Sequence, residues 1–150
     1  MSWKLIVIGG VVFYIVMFVI SFATGPLIHG GVLDEAYRAN EGFWRPELNQ
    51  DPPDMTSLMP RWITTGVLTS LVMAAIYGWI RPALGRGWVA GVKYGVLLSV
   101  VGTLFMAGWS GVFNLPDKIW IWWAIEQPLY YIPGGAVLGW LGEKLAPSGD

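Results

Sequence analysis

Groups that could do chemistry are few in this chain of 150 residues, and the most informative is a single carboxyl. Glu126 stands within an apolar stretch, one helical turn past Trp122 and Trp123. An ionisable side chain surrounded by hydrocarbon carries a desolvation cost, so it marks either a functional site or a structural carboxyl, paired with Arg61 or protonated and hydrogen-bonded to threonines. Polar residues expected at the same depth are Ser21, Thr24, Arg61, Thr64, Thr65, Ser110, Gln127 and Tyr130. Arg61 has the reach to pair with Glu126, and Thr64 and Thr65 offer hydroxyls. A cluster of this kind at one mouth of a helix bundle suits a lipid headgroup, a quinone, a proton or a small solute. The candidate ligand-binding residues are therefore Glu126, Arg61, Thr64, Thr65, Tyr130 and His29.

Other chemistry is excluded or weakly signalled. The chain has no cysteine, which removes disulfides, thiolate metal sites and cysteine nucleophiles. Its single histidine rules out bis-histidine haem ligation within one chain. His29, Asp34 and Glu35 share a loop, but one imidazole and two carboxylates without fixed spacing read as a solvated acidic loop. Met55 and Met59 lie one turn apart and read as apolar contacts at a helix start. Phosphate loops, zinc spacings and nucleophile–base motifs do not occur. No catalytic residue, metal site or cofactor is expected.

The elements that must position these groups are membrane helices. Hydrophobic residues make up 55% of the chain and charged residues 13%, with a mean hydropathy of +0.54. That is about half the charge of a soluble domain. With a net charge of −1, no electrostatic footprint for nucleic acid exists. Crossing about 30 Å of hydrocarbon takes roughly 20 apolar residues. Four stretches qualify: Trp3–Ala23, Arg61–Ile80, Trp88–Phe113 and Ile119–Leu141. The expected fold is all-α, a single domain of four transmembrane helices, with a long extracytoplasmic loop after the first. Breaks are expected at Gly25-Pro26, Arg81-Pro82 and Asn114–Asp117. Pro128 and Pro133, followed by Gly134 and Gly135, leave a kinked or broken fourth helix open.

The ten tryptophans agree with this layout. Trp62 and Trp79 are 17 residues apart, Trp88 and Trp109 are 21 apart, and Trp123 and Trp140 are 17 apart. At about 1.5 Å per residue each pair spans roughly 26 to 32 Å, one bilayer core between two aromatic belts. Lys4, Arg81, Arg86, Lys93 and Lys144 fall on one side, Arg38, Arg45, Arg61 and Lys118 on the other. This places both termini in the cytoplasm. Arg81, Arg86 and Lys93 beside Trp79 and Trp88 suit orientation and an anionic headgroup alike.

Helices in lipid associate through small residues. One row runs Gly66, Ser70, Ala74, Gly78 in the second span. Another runs Gly87, Gly91, Gly95, Ser99, Thr103, Ala107, Gly111 in the third. These rows predict that the second and third spans press together most closely. The long connection pairs Asp34 with Arg38 and Glu41 with Arg45 at helical spacing. It is expected to lie on the membrane surface with Tyr37, Phe43 and Trp44 turned to lipid.

The segment His29-Gly30-Gly31-Val32-Leu33-Asp34 through Tyr37, the Trp44-Arg45-Pro46-Glu47 turn and the Pro133-Gly134-Gly135 end resemble small bacterial four-helix membrane proteins of unknown function. The resemblance implies a fold and an envelope location, and no activity. Length and tryptophan content are also similar to tryptophan-rich sensory proteins, which bind tetrapyrroles. That family has five helices and a tryptophan-proline signature that this chain does not match. The expected function is a non-catalytic accessory or structural subunit of a larger membrane complex. Its partners would be membrane lipids and other membrane-protein subunits or further copies of itself. The alternative is a stand-alone binder or carrier of a small ligand at the Glu126 cluster.

Overall fold

The computed structural model describes residues 2–146. It is 86% helical, with no strand among the described residues. Helix α1 runs Leu5–Val32, its first and last turns wound as π-helix over Leu5–Gly9 and Ile28–Val32. Helix α2 is the short Asp34–Arg38, followed by two 3-10 turns, Glu41–Phe43 and Pro46–Asn49. Helices α3 (Met55–Leu84), α4 (Gly87–Ser110) and α5 (Asp117–Leu145) complete the fold. Three helices, α1, α3 and α4, are long and apolar enough to cross a membrane.

Two expected breaks are absent. Pro26 lies inside α1 and Pro82 inside α3. A helical proline forfeits one backbone bond, which costs little where the next turn can rewind. After Pro26 the π turn does this, with Leu33 N–H donating to the Ile28 carbonyl at 2.8 Å. Helix α5 likewise continues through Pro128 and Pro133 as one element. Helix α3 starts earlier than its apolar span because Asp54 caps it, accepting from the Ser57 amide at 3.2 Å. It stops at Gly85, where φ of 106° is open to glycine and not to a residue with a Cβ.

The helices pair antiparallel, and not as the small-residue rows suggested. The closest seam joins α4 to α5. A Cβ on Gly91 would stand 2.8 Å from the Gly139 nitrogen, and one on Gly139 would stand 2.7 Å from the Gly91 nitrogen. Gly95 packs in the same way on the Tyr131–Ile132 backbone. The α3 row instead serves α1: Gly10 lies on the Ser70 carbonyl and Leu71, and the Tyr14 ring lies on Gly66. Ser70 and Ala74 are buried, as are Gly91, Gly95 and Ser99, while Gly78 and Gly87 are half-buried. The expected pairing of the second and third spans is thus corrected. Each row has a different partner, because α5 carries its own pair of glycines at spacing four, Gly135 and Gly139.

The long α4 row does not stay on one face either. At about 3.6 residues per turn, steps of four drift by about 40° each. Gly87 to Ser99 face α5, whereas Ala107 and Gly111 are exposed. Gly102, outside the row, continues the packing on α5 by seating the Gln127 side chain.

Both described ends meet at one end of the fold. Ser2 Oγ donates to the Leu145 carbonyl at 3.1 Å. Arg81 Nη1 donates to the Gly142 carbonyl at 2.7 Å, and Nη2 to the Ala146 carbonyl. Lys93 of α4 reaches across the turn to the Leu84 carbonyl at the end of α3, at 3.0 Å. The core at this end holds Leu5, Phe13, Ala74, Tyr77, Tyr94 and Leu138. At the opposite end, Ile28, Leu33, Leu115 and Ile119 form a second cluster.

Candidate functional site

The second cluster supports a continuous polar series. Glu126 is 4% exposed, and its Oε1 lies 3.0 Å from His29 Nε2. The same oxygen accepts from the Tyr130 hydroxyl at 2.5 Å, one turn further along α5. The other imidazole nitrogen, His29 Nδ1, lies 2.8 Å from the Tyr37 hydroxyl. Trp123 Nε1 donates to that hydroxyl at 2.9 Å. Five side chains from α1, α2 and α5 are thereby joined.

Local sequence explains each placement. Trp123, Glu126 and Tyr130 recur at spacings of three and four, which puts them on one face of α5. The π turn at the end of α1 carries His29 over that face. Leu33, fully buried, turns the chain into α2 and delivers Tyr37 beside His29. Trp44 then closes the cap, its Nε1 donating to the Tyr37 carbonyl at 2.9 Å and its ring edge-on to Tyr37 and Trp123. Tyr37 and Trp44 therefore turn into the protein and not to the membrane surface, a correction to the amphipathic reading. Two indole and phenol donors gain internal partners there, which an outward orientation would forgo. Phe43, more exposed, packs edge-on against Phe113.

Indole N–H only donates, so the Tyr37 oxygen accepts from Trp123. An ionised Glu126 carboxylate only accepts, and a neutral imidazole facing it carries its hydrogen on Nε2, which leaves Nδ1 to accept from the Tyr37 hydroxyl. Burial, opposed in part by the Trp123 hydrogen bond, pushes the Tyr37 phenol up to about 12. The hydroxyl therefore keeps its hydrogen throughout the neutral range.

Of the expected site residues, the fold brings together Glu126, His29 and Tyr130. It leaves out Arg61, Thr64 and Thr65, which are exposed. Thr65 Oγ1 bonds to the Arg61 carbonyl of its own helix at 2.8 Å. Arg61 lies on the side of Glu47, whose carboxyl is held below the usual range chiefly by the hydrogen bond from Arg45, with a lesser contribution from the charge of Arg61. The cause is the helix order: α3 packs on α1 along most of its length and reaches α5 at its far end, through Tyr77 and Arg81. Glu126 thus takes its partners from α1, where sequence spacing pointed to the second span. Tyr37 and Trp123 were missed as site residues; the signal for Trp123 was its position three residues before Glu126.

Two cavities flank the helices. An apolar cleft of about 240 Å³ lies beside the cap, walled by Phe43, Phe105, Trp109, Phe113, Trp120 and Trp123. A polar notch of about 150 Å³ lies at the other end between Tyr77, Arg81, Arg86, Gly139, Gly142 and Glu143. Neither includes Glu126. Among the described residues, no group of three or more His, Cys, Asp or Glu side chains is placed to hold a metal ion. No protein-family model, curated protein or solved structure matches the chain. What fold and site define together is a class: an all-helical protein with three helices able to span a membrane and a buried carboxyl paired with a half-exposed imidazole at one end.

Proposed function

We propose that the chain is a non-catalytic integral membrane protein that crosses the bilayer four times and serves as an accessory or structural subunit of a larger membrane complex. Helix α5 is the fourth span. Its 29 residues cover about 43 Å at about 1.5 Å per residue, and its charged groups other than Glu126 lie in its first and last turns. The observation that carries the reading is how the side chains are divided between inside and outside. Gly10, Gly91, Gly95, Gly135, Gly139, Ser70, Ser99 and Glu126 are turned inward, while Phe18, Phe22, Leu68, Leu104 and Phe105 face out. That division suits lipid and neighbouring helices as surroundings, and the buried polar groups are spent on internal contacts. The setting proposed is a bacterial inner membrane, with the end that gathers Ser2, Leu145, Arg81 and Arg86 in the cytoplasm.

A second reading, a stand-alone binder of a small ligand, is favoured by the buried Glu126 carboxyl set against the half-exposed His29. Purification in mild detergent, followed by mass analysis of what co-elutes, separates the two. A fixed set of partner chains or a defined homo-oligomer supports the subunit reading. A monomer with nothing bound, or with one stoichiometric small molecule, overturns it.

A further inference from the structure

The series Trp123–Tyr37–His29–Glu126–Tyr130 has an open end and a closed end. The His29 side chain is 39% exposed, and that of Glu126 is 5% exposed, so bulk solvent meets the imidazole first. Inward, the Tyr130 hydroxyl is within reach of Thr24 and Ser21 on α1. Beyond Ser21 the α1–α5 seam is Phe13 against Gly134 and the Tyr131 ring, and among the described residues no side-chain hydrogen bond leads on from Tyr130 toward the other end.

We propose that His29 and Glu126 form a proton-binding site open to one side only, which senses pH at the mouth and tightens the cap made by residues 34–44 when a proton is bound. This deepens the second reading above by naming the proton as its ligand, and it is independent of the subunit reading.

The steps balance with solvent as the proton source. In the base form the Tyr37 hydroxyl donates to Nδ1, and Nε2–H donates to the Glu126 carboxylate. A proton taken from water converts the imidazole to imidazolium, with hydrogens on both nitrogens. The Tyr37 hydroxyl rotates, and its oxygen now accepts from both Nδ1–H and Trp123 Nε1–H, using its two lone pairs. The hydrogen bonds at His29 become charge-assisted, so the docked cap binds the proton more tightly than the undocked one. By linkage the bound proton favours docking by the same factor. The groups that meet the couple are Tyr37 from α2, Tyr130 from α5, and the uncharged Thr24 and Ser21 by way of Tyr130. Asp34 is held by Arg38 at 2.9 Å, and among the described residues no lysine or arginine forms an ion pair with Glu126.

The experiment uses the fact that the chain has one histidine. Protein labelled with 15N-histidine, in mild detergent, gives the tautomer and protonation of His29 directly as pH is varied. The expected base form is a single tautomer with hydrogen on Nε2, passing to the doubly protonated form in acid. In Glu126→Gln the acid form should require at least about tenfold more protons, the effect of an opposite charge at this distance. In Tyr37→Phe the base form should become a mixture of tautomers, a readout that remains should the Glu126 variant not fold. Amide exchange over residues 34–44, corrected for its intrinsic pH dependence, should slow in acid by up to the same factor. Vesicles carrying the protein should hold an imposed pH gradient as long as empty ones. A freely averaging imidazole in the wild type overturns the proposal, as does an acid form unmoved by Glu126→Gln. A gradient that collapses through the wild type and survives in Glu126→Gln overturns the one-sided site in favour of a conducting path.

Discussion

Replacing Gly91 by alanine tests the α4–α5 seam with one methyl group. The new Cβ would lie 2.8 Å from both the Gly135 carbonyl carbon and the Gly139 nitrogen, and closer still to the Gly135 oxygen. Those separations fall about 0.6 Å inside the 3.4 Å at which ordinary packing begins, and backbone cannot rotate away as a side chain can. Overpacking of this kind costs about 1–3 kcal/mol, and each weak Cα–H···O bond broken as the helices separate adds about 0.5–1 kcal/mol. The better helix propensity of alanine returns about 1 kcal/mol. The net expectation is a loss of about 2 kcal/mol. Gly108 is on the same helix with open space beside it, so Gly108→Ala keeps the propensity gain without the clash. The two variants should therefore differ by about 3 kcal/mol with opposite signs. Unfolding in mixed micelles of mild detergent and increasing sodium dodecyl sulfate, followed by near-ultraviolet circular dichroism, measures both. Equal stability of Gly91→Ala and Gly108→Ala would refute the seam.

Two further outcomes are expected. Single cysteines at Asn49 and Lys118 should label from one face of the membrane, and those at Arg86 and Lys144 from the other; Lys118 and Lys144 labelling from the same face removes α5 as a span. Arg81→Met should cost about 1.5–3 kcal/mol by releasing the charged donors on the Gly142 and Ala146 carbonyls. Hydrogen exchange at residues 142–146 should rise with it, and unchanged protection there would show that Arg81 does not hold the end of α5.

The sequence alone was enough for the helical class, for three helices long and apolar enough to cross a membrane, and for a Glu126 turned inward, though not for its partners. These follow from composition, apolar run length and the cost of a carboxyl in hydrocarbon, which are local properties of the chain. Tyr130 was expected at the depth of Glu126, and His29 in the long connection; the fold sets both against the carboxyl. Helix ends were less legible, because proline and glycine mark where a backbone bond is lost and say nothing of whether the next turn rewinds. Pro26, Pro82, Pro128 and Pro133 all lie within continuous helices. Only the tertiary structure decided which small-residue row meets which helix. Gly91 and Gly95 fit any smooth face equally well by sequence, and the choice of Gly135 and Gly139 over Ser70 and Ala74 is made by how all the helices fill space together. That choice also set the partners of Glu126: with α3 laid against α1, Arg61, Thr64 and Thr65 are carried away from the carboxyl. Tyr37 reaches His29 because the π turn and the buried Leu33 fold the connection inward, where its hydroxyl and the indoles of Trp44 and Trp123 satisfy one another.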